Sequence, residues 1–97
     1  MYKMIALYKK PEDTASFDEH YFNSHIPLSK KIPGLKKVEV TKMSSSSPYY
    51  LMCVMSYESK EAFKEASKTP ESKASGKDVM EFAGDLVTFM FGEDTND

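Results

Sequence analysis

Apolar and polar residues alternate with a period of two in four stretches of the chain, and with a helical period in two others. In Met1–Lys9, Tyr2, Met4, Ala6 and Tyr8 share one face, with Lys3, Ile5, Leu7 and Lys9 on the other. Both faces carry apolar groups between Met4 and Tyr8, which predicts a strand covered on both sides at its centre. Tyr49–Tyr57 (YYLMCVMSY) has the same character and reads as a central strand. In Leu35–Met43 only Val38 and Val40 form an apolar face, opposite Leu35, Lys37, Glu39, Thr41 and Met43, so this strand belongs nearer an edge. Asp85–Phe91 sets Leu86, Thr88 and Met90 against Val87, Phe89 and Phe91. The acidic segment 92–97 beyond it is expected to fray.

Between the first two strands, Pro11-Glu12-Asp13-Thr14 stops one element and starts a helix, with Asp13 or Thr14 as its cap, while Ser16 and Glu19 have capping-box spacing and offer a later start. Phe17, Tyr21, Ser24 and Leu28 form the helix's central stripe, and His20 and His25 flank that stripe on opposite sides. Pro27 lacks an N–H and disfavours a helical Ile26, so a break or kink is expected near His25. Leu28–Lys31 can add a short turn, and Ile32-Pro33-Gly34 is a firm stop. Ser44–Ser47 with Pro48 reads as a solvent loop joining two strands of a hairpin. A second helical region follows Ser59, is interrupted at Thr69-Pro70 and resumes to Gly84.

The resulting order, β-α-β-β-α-β, specifies a single-domain α+β fold for residues 1–97, a ferredoxin-like sandwich with two helices on one face of a four-stranded sheet. Three strands are nevertheless apolar on both faces. Pairing of two sheets in a homodimer, forming a dimeric α+β barrel, would cover the face that the helices leave bare.

Composition narrows the partners. The 97 residues include 13 basic and 15 acidic groups, for a formal charge of −2. Every basic residue is lysine, so the guanidinium used for bidentate recognition of phosphate or guanine is absent and no nucleic-acid role is expected. One cysteine, Cys53, excludes an internal disulfide and suits a cytoplasmic protein. No stretch approaches the roughly 20 apolar residues that span a bilayer, and no membrane partner is expected. No nicotinamide or flavin fingerprint is present, and the two histidines lack metal-site spacing, so neither a cofactor nor a metal is expected.

The chemistry-bearing residues concentrate in Phe17–Gly34. His25 titrates near neutral pH and is the candidate acid/base. Tyr21, one helical turn earlier, neighbours it and can orient a ligand or the imidazole. His20 reads as solvent-facing. Tyr8, Met55 and Tyr57, with Cys53, can line an apolar sheet-side pocket, or equally fill an ordinary core.

Several features together resemble the EthD family of small dimeric α+β-barrel proteins. They are Tyr8-Lys9-Lys10-Pro11, Phe17 and Tyr21, His25 with Pro27 and Leu28, Ile32-Pro33-Gly34-Leu35, and Phe89-Met90-Phe91-Gly92-Glu93. The resemblance implies the same fold and a homodimer, and it matches His25 to the family's signature histidine beside a cleft. It also implies kinship in fold with cofactor-free monooxygenases and a role, often described as oxidoreductase-like, in handling small organic compounds. Two functional expectations follow. One is a cofactor-free enzyme acting on an apolar oxygenated compound through His25; the other is a non-catalytic, ligand-binding or accessory homodimer in which His25 is structural.

Overall fold

In a computed structural model that describes residues 1–95, four antiparallel strands form one sheet in the spatial order Leu35–Lys42, Leu51–Tyr57, Tyr2–Tyr8, Val87–Glu93. The strands are β1 (Tyr2–Tyr8), β2 (Leu35–Lys42), β3 (Leu51–Tyr57) and β4 (Val87–Glu93). The helices are α1 (Thr14–His20), a π-helical turn Tyr21–His25, α2 (Ile26–Ser29), α3 (Lys60–Ser67) and α4 (Pro70–Ala83). This is the ferredoxin-like α+β fold. The extents of 36 × 35 × 19 Å correspond to one sheet and one helical layer, leaving the second sheet face bare.

The register explains which face is buried. Tyr2, Met4, Ala6 and Tyr8 of β1 pair with Tyr57, Met55, Cys53 and Leu51 of β3, and with Glu93, Phe91, Phe89 and Val87 of β4. Ala6, Tyr8, Leu51, Cys53, Met55 and Tyr57 from this set are buried beneath the helices with Phe17, Tyr21, Val79 and Ala83. On the opposite face, Ile5 lies between Val54 and Met90, and Leu7 lies between Met52 and Thr88.

Leu35 departs from its expected face. An irregularity between Leu35 and Lys37 sets Leu35 opposite Tyr57 and Val38 opposite Met55, so Leu35 joins Val38 and Val40 on the helix side. One extra residue in a strand reverses the alternation beyond it. The final strand also runs further than the apolar pattern suggested. Gly92 and Glu93 pair with Lys3 and Tyr2, and the Asp94 N–H donates to the Met1 carbonyl. Of the segment expected to fray, residues 96–97 lie outside the described residues.

The caps follow local chemistry. Asp13, Ser59 and Thr69 each accept a backbone N–H at the start of α1, α3 and α4, and Pro70 occupies the first turn of α4. The turn after α2 closes at Gly34, whose φ of +89° is accessible to glycine at little cost.

Helix 14–29 does not break at Pro27. Ile26 stays helical at φ −63°, ψ −45°, and its N–H bonds back to the carbonyl of Tyr21, five residues earlier. Proline in a helix clashes with the carbonyl four residues before it and offers no N–H. Widening the preceding turn to a five-residue ring accommodates the ring without ending the helix, and such π-bulges are frequent at functional sites.

A carboxylate-held histidine at the wall of an apolar cavity

The π turn determines where the two histidines point. In a regular α-helix, residues five apart lie about 140° apart around the axis, which places His20 and His25 on opposite flanks. The wider turn brings them to a common side, where both meet Asp78 of α4. His25 Nδ1 lies 2.9 Å from Asp78 Oδ2. His20 Nε2 lies 3.0 Å from Oδ1 and 3.1 Å from Oδ2. His20 is therefore a half-exposed partner of the same carboxylate and not a free surface residue. Phe82 packs against both imidazoles, with ring centroids 4.4 Å from His20 and 5.2 Å from His25.

A carboxylate only accepts hydrogen bonds, so the His25 nitrogen facing it carries the hydrogen. That leaves Nε2 as the basic nitrogen. Burial pushes the His25 imidazole below its ordinary pKa, and the bond to Asp78 opposes that shift. The side chain is 7% exposed. A buried, neutral imidazole with a fixed tautomer has the form of a general base.

The Nε2 atom looks toward Ser29, whose Oγ is 3.5 Å away and itself 2.7 Å from Ser75 Oγ. Both serines are buried. If Ser75 donates to Ser29, the Ser29 hydrogen can turn to Nε2 and the Ser75 lone pairs stay available to a ligand. His25, Ser29 and Ser75 all line a cavity of about 130 Å³ between the helices and the sheet. Its sheet side includes Tyr8, Cys53, Met55 and Tyr57, and Val79 and Ile32 add apolar wall. Ser67, Gly76 and Phe89 are the exposed members of the lining, so the cavity opens between α3, α4 and β4.

The structure thus brings His25, Tyr8, Met55 and Tyr57 to one cavity. Tyr21 stands behind them, outside its lining. It is fully buried, stacks on Phe17 at 5.6 Å and lies 5.5 Å from the His25 ring. Its hydroxyl is buried without a hydrogen-bond partner, beside the Tyr8 hydroxyl and the Cys53 thiol. Burial, reinforced by Cys53, holds the Tyr8 and Tyr21 phenols well above the usual range, and burial also raises Tyr57. All three therefore keep their hydroxyl proton at neutral pH and cannot serve as bases. Asp78, Ser29 and Ser75 are the site groups that sequence reasoning missed. The available signal was a carboxylate in the apolar stripe of α4, flanked at helical spacing by Ser75 and Phe82.

Among the described residues, no three of His, Cys, Asp or Glu are placed to hold a metal ion. Both ring nitrogens that face Asp78 act as donors to it, which removes them as ligands. No described helix is long and apolar enough to cross a membrane.

The EthD domain profile matches residues 9–85. The chain belongs to the EthD family. It is 54% identical to an ethyl tert-butyl ether D (EthD) family protein of Bacillus halodurans C-125 of known crystal structure, covering 98% of this chain and 99% of that one with a TM-score of 0.95. It is also 35% identical to an uncharacterized 11.0 kDa protein from the thcB-thcC intergenic region of Rhodococcus erythropolis, over 97% of this chain and 95% of that one. The fold extends to a dimeric ferredoxin-like protein of unknown function from Thermobifida fusca. That protein is 17% identical over 94% of this chain and 88% of its own, with a TM-score of 0.71. The EthD match spans the π turn, the serine pair and Asp78, so the His25–Asp78 pairing lies within the EthD domain itself.

Proposed function

We propose that this EthD protein binds a small, mostly apolar, oxygen-bearing organic compound and that His25 takes a proton from it. The observation carrying this reading is the Asp78–His25 bond, which leaves Nε2 basic at the wall of an apolar cavity. Size sets the ligand class. An engineered apolar cavity of about 150 Å³ accepts benzene, so 130 Å³ suits a single-ring phenol or a short branched ketone. The Ser75, Tyr8 and Tyr57 hydroxyls supply the few polar anchors that orient such a ligand. Removal of an O–H or C–H proton yields a phenolate or enolate, an electron-rich species that molecular oxygen can attack directly. An oxidoreductase of this kind would consume O₂ as co-substrate.

The assembly is part of the same reading. Ile5, Leu7, Met52 and Val54 are only half-buried and Met90 is 49% exposed on the bare sheet face. A second copy laid sheet to sheet would cover these rows and close the barrel. The lone, buried Cys53 suits the reducing cytoplasm.

The test is titration of the protein with phenol and with small aryl ketones, followed by ¹H–¹⁵N spectra. Saturable shifts of His25 and Ser75 are expected. The variant His25→Asn keeps a donor near the Nδ1 position but has no Nε2. If it binds as well as the wild type and shows the same turnover, or if the wild type binds none of these compounds, His25 serves the fold alone.

A further inference from the structure

Glycine in the interior of a helix lowers the folding equilibrium constant by roughly fivefold relative to alanine. Gly76 stands in the middle of α4. Two other glycines of the chain have visible reasons for being glycine. Gly34 takes a φ of +89°, and a Cβ on Gly84 would run into the Met80 carbonyl. Gly76 has no positive φ, and a Cβ on it would meet nothing within 4 Å beyond the backbone of its own helix. Neither backbone conformation nor packing requires a glycine there.

What a side chain at 76 would occupy is the mouth of the cavity. Ser72, Ser75, Gly76 and Val79 lie at i, i+3, i+4 and i+7 of α4 and line the cavity together. Ser75 and Val79 are buried and Ser72 is half-buried, whereas Gly76 is exposed, so the lining passes from interior to solvent at this position. The other exposed members of the rim are Ser67 at the end of α3, which is also small, and Phe89 of β4. Side chains on a helix lean toward its N-terminus. A larger group at 76 would therefore lie over the Ser72 turn, across the opening between α3 and α4.

We propose that Gly76 is the entrance of the cavity, and that the missing side chain there decides which compounds reach His25. This rests on the reading of the cavity as a ligand site, and not on His25 as its base. With leucine at 76, the isobutyl group would stand in the path of a ring-sized ligand.

The test uses benzene, which has no acidic proton, as the probe of entry. Its association and dissociation rates are measured by ¹H–¹⁵N NMR on the full chain for the wild type, Gly76→Ala, Gly76→Leu and Ala74→Leu. Ala74 is exposed on the same helix, outside the lining. Association at least tenfold slower in Gly76→Leu, or affinity lower by that factor because leucine fills the cavity, is the expected result, with Ala74→Leu unchanged. Gly76→Ala and Gly76→Leu should both show a higher urea midpoint than the wild type, since alanine and leucine favour the helix. Slower entry together with greater stability cannot come from a damaged fold. Equal rates in Gly76→Leu and the wild type, the same slowing in Ala74→Leu, or a wild type that takes up no benzene would overturn the proposal. A lower midpoint in Gly76→Ala would overturn it too, by giving the glycine a structural reason. Should leucine disturb the backbone spectrum, Gly76→Met carries the same comparison. Benzene entry that leucine blocks, with no response of His25 to phenol, would count against the proposed role of His25 alone.

Discussion

Replacing Asp78 with alanine removes the acceptor that fixes the His25 tautomer, and the structure sets the size of the effect. The His25 Nδ1–H would be left unpartnered in a side chain only 7% exposed. A buried donor without an acceptor costs about 1–3 kcal/mol. The bond from His20 is half-exposed and adds roughly 0.2–1 kcal/mol. Together these give a loss of about 2–3 kcal/mol for Asp78→Ala. In a domain of this size that is roughly 10–20 °C in Tm. Asp78→Asn keeps one oxygen acceptor for His25 but turns the other oxygen into an N–H donor and loses the charge, so its loss should be smaller, about 1 kcal/mol. Urea unfolding at a fixed protein concentration measures both, with concentration held constant because association shifts apparent stability. If Asp78→Ala falls within about 0.5 kcal/mol of wild type, the range of a neutral surface change, Asp78 does not hold His25 and the site as described does not exist.

Three further outcomes follow. His25 has its pKa lowered by burial, so the unfolded chain binds that proton more readily than the folded one. Its contribution is fully present above the ordinary imidazole value of 6.5 and is lost as pH falls below it. The urea midpoint should therefore drop between about pH 7.5 and 5.5, with a smaller drop in His25→Asn; a rising wild-type midpoint would mean that the bond to Asp78 outweighs burial. Ile5→Glu puts a carboxylate in the middle of the bare sheet face, between Val54 and Met90, and should convert the proposed dimer to monomer by light scattering without unfolding it. Cys53 is 3% exposed in a central strand and burial raises its thiol, so a bulky disulfide reagent should label it only as fast as the protein unfolds.

The parts of this architecture written in local periodicity could be read from the sequence alone. The two-faced apolar strands around Ile5 and Val54 identified the central pair, and the Asp13, Ser59 and Thr69 caps marked the helix starts. Leu35 changed face because an irregularity in pairing is a property of two strands together. Pro27 signalled a disturbance, but whether a helix breaks or widens there depends on what packs around it. That choice also reversed the relation of His20 to His25, since residues five apart diverge in an α turn and converge in a π turn. Asp78 was hidden for a different reason. It is 53 positions from His25 in the chain, and helical spacing reports only neighbours three or four residues away. The cavity residues Tyr8, Met55 and Tyr57 were legible because they share one sheet face, whereas the Ser29–Ser75 pair forms only when α2 and α4 pack together.

The most direct test is the protonation state of His25 at neutral pH, read from the ¹⁵N shifts and long-range ¹H–¹⁵N couplings of its imidazole. A neutral ring with hydrogen on Nδ1 and a bare Nε2, whose shift moves when phenol is added, is the expected result. A ring carrying its hydrogen on Nε2, or one charged on both nitrogens, would contradict the assignment of His25 as the base of this site.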